Sequence, residues 1–177
     1  MKGKSAYRRQ YDLPDKILPA IHARIEKWIA DGVVGYAPPG TNFNNPLTFV
    51  PKKDAQNNLT KLRCVLDTRE LNRITVIEDR YDIALIKDIF RKIAHAKYLT
   101  VLDCTEAFLS MPISPEDQYK ISFTIPGFLQ PLCFKRAPFG LRSISFHSMK
   151  IMHVITHSLP NTEFYIDDCI IYCDTYL

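Results

Sequence analysis

The chain of 177 residues predicts an α+β fold with antiparallel strand pairing. Apolar residues recur at helical spacing in three separate segments, and paired runs of β-branched and aromatic residues are joined by short polar turns. The element order is helix, hairpin, helix, strand, strands, helix, hairpin. With 46% hydrophobic residues the chain can bury a substantial core, and no internal repeat or long linker divides it.

Residues 1 to 13 read as a basic, extended lead-in. Between about Leu18 and Asp31, the residues Ile17, Ile21, Ile25, Trp28 and Ile29 form one apolar stripe opposite Arg24, Glu26 and Lys27. Pro19 suits the first turn of that helix, and Gly32 suits its end. Prolines and glycines between residues 35 and 46 predict a loop. Leu47 to Lys52 and Lys61 to Leu66 then read as a hairpin around the polar stretch 54–58, with Lys52, Lys53, Lys61 and Arg63 at its tip and flanks. Such charge either keeps an edge soluble or clamps phosphate, and composition leaves both readings open.

Residues 67 to 82 read as polar and irregular. Ile86, Ile89, Phe90 and Ile93 mark a second amphipathic helix, and Tyr98 to Leu102 is a strand ending on Asp103. Further strands are expected at Tyr119 to Ile125 and Leu132 to Lys135, with a turn at Pro138-Phe139-Gly140. A third helix is expected over residues 144–158, through Ile144, Met149, Met152 and Ile155, with Pro160 and Asn161 breaking it.

Charged residues make up 24% of the chain, both signs are mixed, and the net charge is +4. That balance permits a nucleic-acid partner without demanding one. The five cysteines are an odd number scattered in apolar runs, as buried thiols of a reducing compartment would be. Cys169 and Cys173 have zinc-like spacing but no second ligand pair. The basic N-terminus is followed by no apolar segment, and no run approaches bilayer length, so the expectation is a soluble, intracellular protein without a membrane partner.

Residues 164 to 173, Phe-Tyr-Ile-Asp-Asp-Cys-Ile-Ile-Tyr-Cys, read as strand, tight turn, strand, with Asp167 and Asp168 at the tip. Adjacent carboxylates repel each other unless a cation or a cluster of donors neutralises them. A divalent metal is one reading, and a turn that uses Asp as a good turn residue is the other. Asp103, directly after another strand, supplies a third acid. Two-metal nucleotidyl transfer needs carboxylates from different strands plus cationic groups for the phosphate, and Lys52, Lys53 and Arg63 are candidates for the latter.

Five motifs then occur in one order. Val50-Pro-Lys-Lys-Asp54 is followed by Arg63-Cys-Val-Leu-Asp-Thr-Arg-Glu-Leu-Asn72, Leu102-Asp-Cys-Thr-Glu-Ala-Phe108, Ala137-Pro-Phe-Gly-Leu141 and Tyr165-Ile-Asp-Asp168. From about Tyr7 to Cys173 the chain resembles the reverse transcriptases of Gypsy-type LTR retrotransposons and retroviruses, the last motif matching their YxDD box. The resemblance implies the fingers and partial palm of a right-hand polymerase, with an antiparallel palm sheet, packed helices and no thumb. Fingers are expected at 1–78 and 111–143, and palm at 79–110 and 144–177, within one reverse transcriptase domain.

It further implies RNA-directed DNA polymerase chemistry, in which dNMP is added to a primer 3′-hydroxyl. Asp103, Asp167 and Asp168 would be catalytic and would hold two Mg2+ or Mn2+ ions. Lys52 and Arg63 would contact the triphosphate. Phe108 would act as a steric gate against the ribose 2′-hydroxyl, its alternative being an ordinary core aromatic, and Phe139 and Gly140 would line the nucleotide pocket. Implied partners are an RNA or DNA template with primer, dNTP, and the remaining polymerase and RNase H parts of a polyprotein. The implied location is cytoplasmic, nuclear or within a retroelement particle.

The chain departs from the family pattern at Arg142-Ser-Ile-Ser-Phe-His147, where Asn-Ala-Pro and then Phe-Gln usually follow Phe-Gly-Leu. Ending nine residues after Asp168, it is expected to expose apolar palm surface. Two other readings compete: an inactive, truncated remnant acting as a nucleic-acid or protein binding module, and a metal-dependent nuclease using the same acids.

Overall fold

A computed structural model describes residues 5–53, 59–76 and 85–175, with the side chains of residues 50–63 outside the description. In chain order the elements are β1 (Ala6–Tyr7), α1 (Leu18–Ala30), β2 (Val34–Tyr36), β3 (Phe43–Asn44), β4 (Leu47–Lys53), β5 (Leu59–Leu66) and α2 (Arg69–Ile74). They continue as α3 (Ile86–Ile93), β6 (Tyr98–Asp103), β7 (Ser122–Phe123), β8 (Leu132–Phe134), α4 (Ile144–Thr156), β9 (Thr162–Tyr165) and β10 (Asp168–Cys173). The chain divides into two compact units, Met1–Val76 with Phe108–Leu141, and Ile77–Ala107 with Arg142–Leu177.

In the first unit, α1 buries the expected stripe. Ile21 and Ile25 are fully buried and Trp28 nearly so, each such side chain contributing ~1.5–3 kcal/mol by leaving water. Trp28 meets Phe134 of β8 edge-on at 5.4 Å, and Phe134 packs on Phe123 of β7 at 5.2 Å. Strand β8 lies between β2 and β7, antiparallel to both. The basic hairpin forms as expected, with Val50 opposite Arg63 and Lys52 opposite Lys61. Its tip, residues 54–58, lies outside the described residues.

Several expectations are corrected here. The stretch 35–46 is not wholly loop, because β2 runs into it and β3 lies within it. Buried Asn45 reaches the carbonyls of Lys120 and Ser122 at 3.1 Å each, so long-range hydrogen bonds satisfy this polar segment. The lead-in is also fixed in place. Strand β1 pairs in parallel with β3, and Gln10 both donates to the Leu47 carbonyl and accepts from its amide at 2.8 Å. Residues 69–74, read as irregular, are a helix that buries Leu71. Within Tyr119 to Ile125, only Ser122–Phe123 is strand, and Gln118–Ile121 is a 3-10 turn.

The second unit holds a three-stranded antiparallel sheet with β10 between β6 and β9. Met149 on α4, Phe164 on β9 and Cys169 on β10 form its buried cluster, with Cys104 and Met152 against them. Both helices bury less than their stripes predict. Ile89 and Ile93 of α3 are buried, whereas Ile86 and Phe90 are exposed, as is Ile155 of α4. Leu99, Val101 and Leu102 on β6 and Val154 on α4 are also exposed. The second unit therefore presents exposed apolar side chains on α3, β6 and α4. Among the described residues, no helix is long and apolar enough to cross a membrane.

Candidate active site

The closing hairpin is tighter than expected. Tyr165 faces Asp168 across it, so Ile166 and Asp167 alone make the turn, and Asp168 is already the first residue of β10. Ile166 has φ 60, a left-handed conformation that a β-branched residue rarely adopts. Two-residue hairpin turns favour glycine where φ is positive, so Ile166 holds a conformation costing ~1–3 kcal/mol. Helix α4 supports it from behind. The Ile166 amide donates to the Met149 sulfur at 2.9 Å, and Ser148 Oγ donates to the Ile166 carbonyl at 3.4 Å.

Strand β6 runs along the other side of β10 and sets Asp103 directly opposite Asp168. The Cys104 amide donates to the Asp167 carbonyl at 2.9 Å, which makes Cys104 and Asp167 a hydrogen-bonded pair. The next pair along, Asp103 and Asp168, is then of the non-hydrogen-bonded kind, with Cα atoms ~4.5 Å apart and side chains on one face. Asp103 and Asp168 are exposed and Asp167 half-buried. Among the described residues, no three His, Cys, Asp or Glu side chains are gathered closely enough to hold a metal ion. The chemistry of the acids does suit Mg2+ or Mn2+, which prefer carboxylate oxygens, and the backbone register brings two of them to one end of the sheet with the third in the adjoining turn.

The other expected site residues belong to the first unit. Phe108 is 5% exposed and meets Phe139 edge-on at 4.9 Å, while Phe139 is 37% exposed. Lys52 and Arg63 lie on facing strands of the hairpin, two register positions apart, and their side chains fall outside the described residues. Gly140 has φ 110, and a Cβ placed there would stand 2.5 Å from the Leu66 carbonyl oxygen. Only glycine fits that approach.

Two residues missed in the sequence hold this turn. Thr68 Oγ1 donates to the Gly140 carbonyl at 2.5 Å, and Asn72 Nδ2 donates to the same oxygen at 2.8 Å. Helix α2 sets them one turn apart, and Thr68 is 2% exposed. Beside them Arg69 forks onto Asp67, with Nε 2.8 Å from Oδ1 and Nη2 2.6 Å from Oδ2, and Tyr11 donates its hydroxyl to the same carboxylate. These hydrogen bonds, chiefly those from Arg69, hold the Asp67 carboxyl well below the usual carboxylate range. Tyr11, Thr48, Asp67, Thr68, Arg69, Asn72 and Gly140 line one open cavity of about 400 Å3. The Asp-x-Arg spacing was the available signal, because an i, i+2 pair at a helix start can form such a fork.

The second unit thus carries a hairpin with paired acids facing a third acid across an antiparallel sheet, and the first unit carries a basic hairpin and a glycine turn. Residues 50–176 match the family model described as reverse transcriptase (RNA-dependent DNA polymerase), and the chain belongs to that family. It is 30% identical over 176 residues, 97% of its length, to the retrovirus-related Pol polyprotein from transposon gypsy of Drosophila melanogaster, covering 16% of that polyprotein. The fold is similar to the crystal structure of a prototype foamy virus protease-reverse transcriptase mutant, with TM-score 0.84 and 26% identity over 98% of this chain and 22% of that one. A foamy viral protease-reverse transcriptase in complex with an RNA/DNA hybrid matches at TM-score 0.81 and 24% identity, over 98% of this chain and 22% of that one. The chain spans 17% or less of the length of the curated relatives it matches.

Proposed function

We propose that the chain is the fingers and partial palm of an RNA-directed DNA polymerase, adding dNMP to a primer 3′-hydroxyl on an RNA or DNA template. The observation that carries this reading is the register of Asp103 against Asp168 with Asp167 in the adjoining turn. In this reading the first unit takes the role of fingers and the second that of palm. Nucleic acid as the partner is supported by the family, by the net charge of +4 and by the relative solved with an RNA/DNA hybrid.

Asp103, Asp167 and Asp168 hold Mg2+ or Mn2+ in this reading. When bound, the two ions supply charge stabilisation at the phosphate and a lowered pKa at the primer hydroxyl. The chain's own groups do the remaining work. Lys52 and Arg63 neutralise the triphosphate, and the Phe108 ring, held edge-on by Phe139, closes the space a 2′-hydroxyl would need. Thr68 and Asn72 fix the Gly140 carbonyl and so the path of the turn that carries Phe139. The remaining polymerase and RNase H parts of a polyprotein would cover the exposed apolar surface of the second unit. The five cysteines are all free thiols, in keeping with an intracellular setting, cytoplasmic, nuclear or within a retroelement particle.

The test is single-nucleotide extension of a DNA primer on an RNA template with Mg2+ and one labelled dNTP. Addition by the chain that disappears in the Asp167→Asn, Asp168→Asn double variant supports the reading. Absence of addition at high protein concentration, with duplex binding retained at low salt, favours the non-catalytic binding module instead.

A further inference from the structure

The C-terminal end of α4 places His153 and His157 one turn apart, and both line a cavity of about 390 Å3 in the second unit with Thr156, Lys92, Glu163 and Tyr172. Side chains at i and i+4 of a helix share a face. His157 Nδ1 is 2.8 Å from the Val154 carbonyl oxygen. A carbonyl only accepts, so Nδ1 carries the hydrogen, and Nε2 is the nitrogen left to ligate a metal. An imidazole tied to a backbone carbonyl through one nitrogen is oriented as metal-ligating histidines are. Lys92, which would repel a cation, donates to Glu163 at 2.7 Å, and that carboxylate offsets its charge.

We propose that His153 and His157 bind a divalent transition-metal ion of the Zn2+ class, with water completing the coordination. Imidazole nitrogen selects Zn2+, Ni2+ or Cu2+ over Mg2+ and Ca2+. The ion would therefore differ from the one that suits the carboxylates at the other end of the sheet. Tyr172 lies four residues along β10 from Asp168, ~13 Å at the rise of a strand, so the two places are separate. The ligands are His153 in the last turn of α4 and His157 at its C-cap, and bound metal would fasten that end of the helix. The inference does not depend on the polymerase reading.

The test is calorimetric titration of the full chain with ZnCl2 in the presence of excess Mg2+, beside His153→Ala and His157→Ala. The expected result is one zinc equivalent that Mg2+ does not displace and that weakens at least ~10-fold in either variant. Zinc bound with unchanged affinity and stoichiometry in both variants would mean capture by the cysteines and would overturn the proposal. Both histidines are exposed, and far-UV circular dichroism checks that the variants fold. Ring-proton NMR of the unaltered chain gives a second reading: zinc must perturb the His153 and His157 resonances together, and failure to do so also overturns the site.

Discussion

Asp103 and Asp168 face each other across neighbouring antiparallel strands, two carboxylates in direct cross-strand register. Like charges so placed destabilise a sheet by ~0.2–1 kcal/mol. Asp103→Asn should therefore stabilise the metal-free chain, by about 0.5 kcal/mol, and under the proposed function it should abolish nucleotide addition. Urea denaturation without divalent ions, read beside primer extension, checks both halves. A loss of stability would show that the pair is not mutually repulsive.

Ile166 pays for its left-handed backbone, and relief of that cost is measurable. Ile166→Gly removes ~1–3 kcal/mol of strain against ~0.5–1 kcal/mol of added chain entropy, so the variant should gain about 1 kcal/mol. Thermal unfolding tests this. A lower midpoint would mean that the isoleucine side chain contributes more by packing than its backbone costs.

Gly140→Ala should be strongly disruptive, since its Cβ would lie 2.5 Å from the Leu66 carbonyl oxygen and φ 110 strains any other residue. A loss of ~2 kcal/mol or more is expected in chemical denaturation. Thr68→Val, which removes one of two donors to the Gly140 carbonyl, should cost only about 1 kcal/mol. Where polymerisation is measurable, it should raise KM for dNTP more than it lowers kcat, because the residue positions the pocket and touches no reacting atom.

Asp67 gives stability a defined acid limb. Hydrogen bonds from Arg69 and Tyr11 depress its folded-state pKa below the unfolded carboxylate value of ~3.9. The unfolded chain thus takes up the proton first, and the stabilisation is fully present above about pH 5 and lost as pH falls through the folded value. Asp67→Asn should cost about 1 kcal/mol at pH 7, a modest figure because Arg69 is 65% exposed. It should also flatten the decline between pH 5 and pH 2. Urea midpoints across that range measure both effects.

The α+β class, the α1 stripe, the basic hairpin and the order of the five motifs were legible in the chain because each rests on local periodicity or on contiguous residues. Helix α2 was not. Its six residues are too few to display a stripe, and what holds them is the distant Gly140 carbonyl. The polar stretch around Asn44 and Asn45 looked like loop because its hydrogen-bond partners lie beyond residue 100 for Asn45 and before residue 10 for Asn44.

By itself the sequence determined that two adjacent acids interrupt an apolar hairpin, that a third ends another strand, and that glycine closes the turn at residue 140. Only the tertiary structure decided that Asp168 sits in the strand rather than the turn, that Asp103 is its partner, and that Thr68 and Asn72 share one carbonyl. Register is a property of two strands at once. Each strand's pattern says which face a side chain takes, but hydrogen bonding across the sheet chooses the residue it meets.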